Sequence, residues 1–318
     1  MGALPGLVAL GALLAVLGPR LLGRARWATR EPVVALWAWQ CVVVGVLLCC
    51  GCALVLTGAA AWPAVRDLVF TGAPAGVEAA YGFPLARPWA VAAAFLFLVG
   101  GVRTALALAY ELAGARATRR HRQQQLSRQA PDLHPELRAA AAPGSGSDSG
   151  SEQLVVVESE EPKAWSLPGP TPRLVVTTGA LRRLSNRELD ALLAHERGHV
   201  RARHHWLLSA AEALLAGFPG VRLFAHFRDQ VGRLVELAAD DSAARRHGRL
   251  ATAIALVELN PDTACPHPLA QIPARVDRLL GGAPRLRAPY RLALTTAALA
   301  LALTPLALSF APGLSALR

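Results

Sequence analysis

Lysine is almost missing from this 318-residue chain. Lys163 stands alone, and the net charge of +11 comes almost wholly from arginine. Charged residues make up 17% of the chain against 53% hydrophobic ones. That balance does not suit one soluble domain; a small globular domain with several membrane spans is expected. Cysteine is sparse as well. Four of the five (Cys41, Cys49, Cys50 and Cys52) fall in one apolar run and Cys265 lies far from them, which implies no disulfide framework. Cys49 and Cys52 have C-x-x-C spacing, but inside an apolar helix they read as small packing residues. No nucleic-acid module accompanies the basic balance, so direct nucleic-acid binding is not expected. No basic residue precedes the first apolar run, so a cleaved signal peptide is not expected either.

Four stretches are long and apolar enough to span a bilayer: Ala3 to Leu22, Val33 to Ala61, Pro88 to about Tyr110, and Leu292 to Phe310. Trp37, Trp39 and Trp62 lie toward the ends of the second, where indole rings favour the interface. Arg103, inside the third, is expected to snorkel. Arginines crowd the loop after span one (Arg24, Arg26, Arg30), the segment after span three (Arg116, Arg119, Arg120, Arg122, Arg128) and the approach to span four (Arg278, Arg285, Arg287, Arg291). Between spans two and three Arg66 and Arg87 are balanced by Asp67 and Glu78. The positive-inside rule then places the N-terminus outside and the long central segment in the cytoplasm. Residues 113–150 read as a basic juxtamembrane segment that anchors to lipid headgroups, followed by the flexible linker Pro143-GSGSDSG. Leu207 to Phe224 is apolar but interrupted by Glu212 and Pro219; it reads as a core or membrane-surface hairpin rather than a fifth span.

The chemistry concentrates in His195-Glu196-Arg197-Gly198-His199, within the run from Ser185 to Trp206. That run reads as a helix. Ser185 with Glu188 makes a capping box, and Leu189, Leu192 and Leu193 recur at helical spacing. His195 and His199, four apart, project from one face and can share one zinc ion at roughly 2.0–2.1 Å each. Glu196 is rotated about 100° from His195, poorly placed as a ligand but well placed to take a proton from water on the metal. A second helical run, Val231-GRLVELAADDSAARRHG, carries Glu236 and Asp240 four apart on one face.

The pair of motifs resembles the BlaR/MecR-type membrane zinc metallopeptidases, and is similar in motif to the HtpX and CAAX prenyl protease type. In those families H-E-x-x-H is followed by E-x-x-x-D, here Glu236-Leu-Ala-Ala-Asp240. The resemblance implies Zn2+ held by His195, His199 and Glu236, with Asp240 orienting a ligand histidine and Glu196 as general base. It implies that the strands within Leu154-VVVES and Lys163-AWSLPGPTPRLVVTTGAL precede the active-site helix, one of them pairing with an extended substrate. His267-Pro268 and Arg275-VDRL resemble the family's H-P…R-[IV]…L segment, after a longer gap. Oxyanion or substrate contacts then have four candidates: Arg275, His267, His204 and His205. His204 and His205, at a basic helix end, are expected at the surface.

The expected organisation is mainly α and integral to the membrane. Three transmembrane helices fill 1–112, the basic segment and linker 113–150, a zincin-like α+β metallopeptidase domain 151–288, and the fourth helix with its tail 289–318. The penicillin-binding sensor domain of β-lactam transducers is not expected. The implied function is a membrane-embedded zinc endopeptidase acting on a cytosolic or membrane-proximal protein, for instance a transcriptional repressor. Two alternatives accompany it: quality control of damaged membrane proteins, and an inactive zincin-fold scaffold, against which the intact Glu196 argues.

Overall fold

The computed structural model describes residues 3–74, 76–82, 87–129, 153–167, 173–260, 272–282 and 284–317. His267, Cys265 and the linker 130–152 lie outside that set. Contacts divide the chain into two units: 1–109 with 211–230 and 285–318, and 110–210 with 231–284.

The first unit is helical. It contains α1 (Ala3–Gly23), a 3₁₀ turn (Arg26–Thr29), α2 (Pro32–Ala61), the short α3 (Pro63–Val69) and α4 (Val77–Ala80), and the first half of α5 (Arg87–Gln129). Among the described residues four helical segments are long and apolar enough to cross a membrane: Ala3–Gly23, Pro32–Ala61, Ala90–Glu111 and Ala288–Ala316. They coincide with the four expected spans. The protein is thus a mainly-α membrane protein. The helix of span three continues to Gln129, carrying the expected basic segment with it as far as the described residues run. Arg103 is exposed.

α2 is the hub of this unit, with half of its most apolar stretch buried. Small residues let its neighbours come close: a Cβ at Gly11 would meet Cys49 at 3.2 Å, and one at Gly45 would meet Leu14 at 3.1 Å. Cys41 and Cys49 are buried packing residues, whereas Cys50 is exposed. Trp39 differs from expectation. It is 1% exposed, its ring 6.4 Å from that of Phe227, so it packs inside the helical unit, while Trp37 and Trp62 stay over 40% exposed.

The second unit carries a three-stranded sheet of order β1-β3-β2, formed by β1 (Gln153–Val157), β2 (Ala164–Leu167) and β3 (Arg173–Thr177). β1 pairs parallel with β3 and β2 antiparallel to it, which leaves β2 as an edge strand among the described residues. One face buries Val155, Leu167 and Val175. The other places Leu174 and Val176 against Ala180, on α6 (Thr178–Arg183), and Leu193, on α7 (Asn186–Arg201). The later helices of the chain are α8 (His204–Gly217), α9 (Arg222–His247), α10 (Arg249–Glu258), α11 (Ile272–Gly281) and α12 (Ala288–Ala316), of which residues 211–230 and all of α12 belong to the first unit.

The run from Ser185 to Trp206 is two helices, not one. α7 ends at Arg201, and Arg203 takes a left-handed φ of 52° before α8 begins. Leu207 to Phe224 is the end of α8, a turn through Gly220 (φ 88°) and the start of α9. From Ala211 onward it belongs with the apolar helical unit: a Cβ at Gly217 would meet the Thr104 Cα at 3.0 Å.

Candidate metal centre

α7 starts with the expected capping box: the Ser185 N–H donates to the Glu188 carboxylate at 2.8 Å. Its inner face buries Ala191, Leu192, Leu193, Ala194 and Gly198. Leu193 sits under the sheet and Leu192 packs on Leu184 and Ala255, which holds the helix on two sides. Gly198 sets the crossing with α9. A Cβ there would meet the Ala239 Cα at 3.3 Å, so the backbones approach closely at the level of Glu236 and Asp240.

That crossing brings both sequence motifs into one cluster. His195 Nε2 lies 3.1 Å from His199 Nε2 and 3.5 Å from Glu236 Oε2, and His199 Nε2 lies 3.5 Å from Glu236 Oε1. The three side chains form a group whose ligand atoms suit one metal ion. Ligands about 2.0–2.1 Å from a tetrahedral zinc stand roughly 3.3–3.4 Å from one another, close to the separations between these side chains, with Glu236 facing each histidine through a different carboxylate oxygen. Two imidazoles and one carboxylate are also a donor set that zinc accepts.

Charge tells the same story. Burial opposes a proton on His195, yet hydrogen bonds to Asp240 and Glu236 and their negative charges override it and push its pKa up to about 10. Positive charge is therefore favoured where His195 Nε2 faces Glu236. Burial, then the neighbouring His195, hold His199 down at about 3, so its ring is neutral. Burial would raise Glu236, but its hydrogen bond to His195 and the charges of both histidines and Arg275 hold it at about 2.

A second layer fixes these groups. His195 Nδ1 lies 3.0 Å from Asp240 Oδ1, and Asp240 is 1% exposed. Arg275, buried on α11, donates from Nε and Nη2 to the two oxygens of Asp240 at 2.8 and 2.7 Å. Its Nη1 reaches Glu236 Oε2 at 3.0 Å. The bidentate fork clamps both carboxylates of the E-x-x-x-D motif, so Arg275 is engaged with them on three of its donors.

His204 departs from the expected surface position. It is 4% exposed, and its Nδ1 lies 3.0 Å from Nδ1 of His199. A ring that offers its Nε2 lone pair to a metal carries its proton on Nδ1. With His199 as such a ligand, its Nδ1–H would donate to His204, which would accept through an unprotonated Nδ1. Burial, the largest influence, keeps His204 neutral by lowering its pKa to about 4. His205 is half-buried and lines a cavity beside the triad, together with Trp165 and Leu208.

Glu196 sits between two cavities. One, of about 240 Å³, is bounded by Pro162 to Ala164, Leu256, Leu259 and Arg275; the other, of about 280 Å³, is the one lined by Trp165 and His205. Burial raises the Glu196 carboxyl above its ordinary value, against hydrogen bonds from the side chain and backbone of Ser166. Ser166 was not singled out in the sequence. A lone hydroxyl between the apolar Trp165 and Leu167 is the signal that marks it.

Residues 127–281 match the family model of peptidase family M48. No curated protein and no solved structure matches the chain. With the four apolar helices, the family match supports a membrane-associated metallopeptidase.

Proposed function

We propose, from the match of residues 127–281 to the family model of peptidase family M48, that this chain is a zinc-dependent endopeptidase cutting a cytosolic or membrane-proximal protein. The observation that carries the reading is the cluster of His195 Nε2, His199 Nε2 and the Glu236 carboxylate, 3.1 Å between the imidazole nitrogens and 3.5 Å from each to a carboxylate oxygen. Those three residues would hold the zinc, which when bound supplies a Lewis acid for the scissile carbonyl and lowers the pKa of water toward ~7. Glu196 is the general base, and later the acid that returns the proton to the leaving amine. Its raised pKa suits both duties, and the hydrogen bonds from Ser166 aim it. The open edge of β2 offers backbone groups to an extended peptide, whose side chains would enter the two cavities on either side of Glu196. Asp240 holds His195 in the tautomer that presents Nε2, and Arg275 fixes Asp240 and Glu236 in turn.

His204 performs for His199 what Asp240 performs for His195. Replacing it with phenylalanine removes the acceptor for the His199 Nδ1 proton; zinc affinity should fall about 10–100-fold. Asparagine, whose amide oxygen can accept the same proton, should recover part of the loss. Competition against a chelating dye measures both, and equal affinities in native protein and His204→Phe would discard the role.

Regulatory cleavage of a transcriptional repressor is the narrower form of the proposal and rests on the resemblance of the E-x-x-x-D helix to the BlaR/MecR type. Quantitative comparison of cellular proteomes with the native protein and with Glu196→Gln tests it: a repressor should persist intact only in the variant. Accumulation of many misfolded membrane proteins instead would favour quality control.

The arginine asymmetry supports a cytoplasmic peptidase domain. With native cysteines removed, a reporter cysteine at Ser147 should resist an impermeant thiol reagent in intact cells, and one at Gly76 should react. The reverse pattern would put the domain outside and remove cytosolic substrates.

A further inference from the structure

We propose that the corner between the 3₁₀ turn Arg26–Thr29 and the start of α12 is a binding site for an anionic phospholipid. A cavity of about 340 Å³ opens there, lined by Trp27, Leu286, Tyr290, Ala293 and Leu294. Its walls are aromatic and aliphatic. The volume lies toward the lower end of the roughly 300–1,000 Å³ typical of small-molecule sites, room for the upper part of an acyl chain rather than a whole lipid. Trp27 lies between two apolar helices and Tyr290 in the first turn of a third, where aromatic side chains mark the junction of bilayer and water.

The rim selects the headgroup. Residues 24–33 and 284–294 together contain six arginines (Arg24, Arg26, Arg30, Arg285, Arg287 and Arg291) and one acid, Glu31. Arg26 and Arg287, the neighbours of Trp27 and Leu286, are exposed, as are Arg24, Arg30 and Arg285. Glu31 is buried between the two segments. It is 6% exposed, accepts a hydrogen bond from the Leu286 N–H at 3.0 Å, and lies 3.9 Å from Arg291. The acid fastens the two segments together, and in doing so holds Trp27 and Tyr290 on either side of the cavity. A basic, aromatic-lined pocket at the ends of spanning helices fits an anionic headgroup above and its chain below. A zwitterionic lipid would bring its own cation to the arginines, and a soluble anion would leave the cavity unfilled. This inference is independent of the peptidase reading.

The test uses full-length protein in nanodiscs of phosphatidylcholine, doped with phosphatidylglycerol or phosphatidylcholine brominated near the top of the acyl chain. Bromine quenches indole at contact. Subtracting the signal of Trp27→Phe from that of native protein isolates Trp27 from the other tryptophans. The Trp27 component should be half-quenched at a mole fraction of brominated phosphatidylglycerol at least about fivefold lower than of brominated phosphatidylcholine, since one interfacial arginine is worth about that factor. Arg26→Gln/Arg287→Gln should bring the two curves together while keeping the quenching by phosphatidylcholine, which also shows that the corner still folds. Millimolar inorganic phosphate should change nothing. Coincident curves in native protein, a preference that survives the double substitution, or displacement by phosphate would each overturn the assignment.

Discussion

Glu196→Gln should keep its metal and lose proteolysis by about 10²–10⁴-fold, the usual cost of removing a general base. The amide can still accept a hydrogen bond from Ser166 and occupy the same place between the two cavities, but it cannot take the proton from the attacking water. Loss of activity with zinc content unchanged separates this role from damage to the metal centre. Peptidase activity within threefold of native protein would remove Glu196 from the mechanism.

The largest effect on stability is expected at Arg275. Asp240 is 1% exposed and receives two hydrogen bonds from the guanidinium, so Arg275→Ala leaves a buried carboxylate with His195 as its remaining partner. Breaking a buried pair from one side costs about 3–5 kcal/mol. Denaturant unfolding of metal-free protein would report that loss without contribution from bound zinc. The acid limb should shift too. Glu236 and Asp240 are both held below their ordinary values in the folded state. Each therefore stabilises the fold above its unfolded pKa and loses that contribution as pH falls through its folded value, about 2 for Glu236. Removing Arg275 raises both folded values, so the variant should unfold at a higher pH than native protein. A loss under 1 kcal/mol together with an unmoved acid limb would show that the clamp holds nothing.

What could be read ahead of the structure was local. The capping box at Ser185, the one-face pairing of His195 with His199, and that of Glu236 with Asp240 each depend on a few residues within two helical turns, where spacing alone sets direction. The four spans were legible for the same reason, since length and hydropathy suffice to place them. His204 was not legible. On one continuous helix, position 204 lies about 140° around from position 199, on a different face. The break at Arg203 swings it back, and a non-glycine residue at φ 52° has no sequence signature that separates it from its neighbours. Arg275 was visible as a functional candidate through resemblance, but not its hold on Asp240, a contact across 35 positions of sequence that only tertiary packing creates. Trp39 misled in the opposite sense: a position near a span end suggests the interface, yet its ring packs on Phe227 from a distant helix.

Two motifs on crossing helices are proposed to form one zinc site. Elemental analysis of purified full-length protein measures it directly. One zinc per chain is expected in the native protein, with less than a tenth of that in His195→Ala, His199→Ala and Glu236→Ala, and full occupancy in Glu196→Gln. Retention of a full equivalent of zinc by Glu236→Ala would contradict the third ligand, and with it the site.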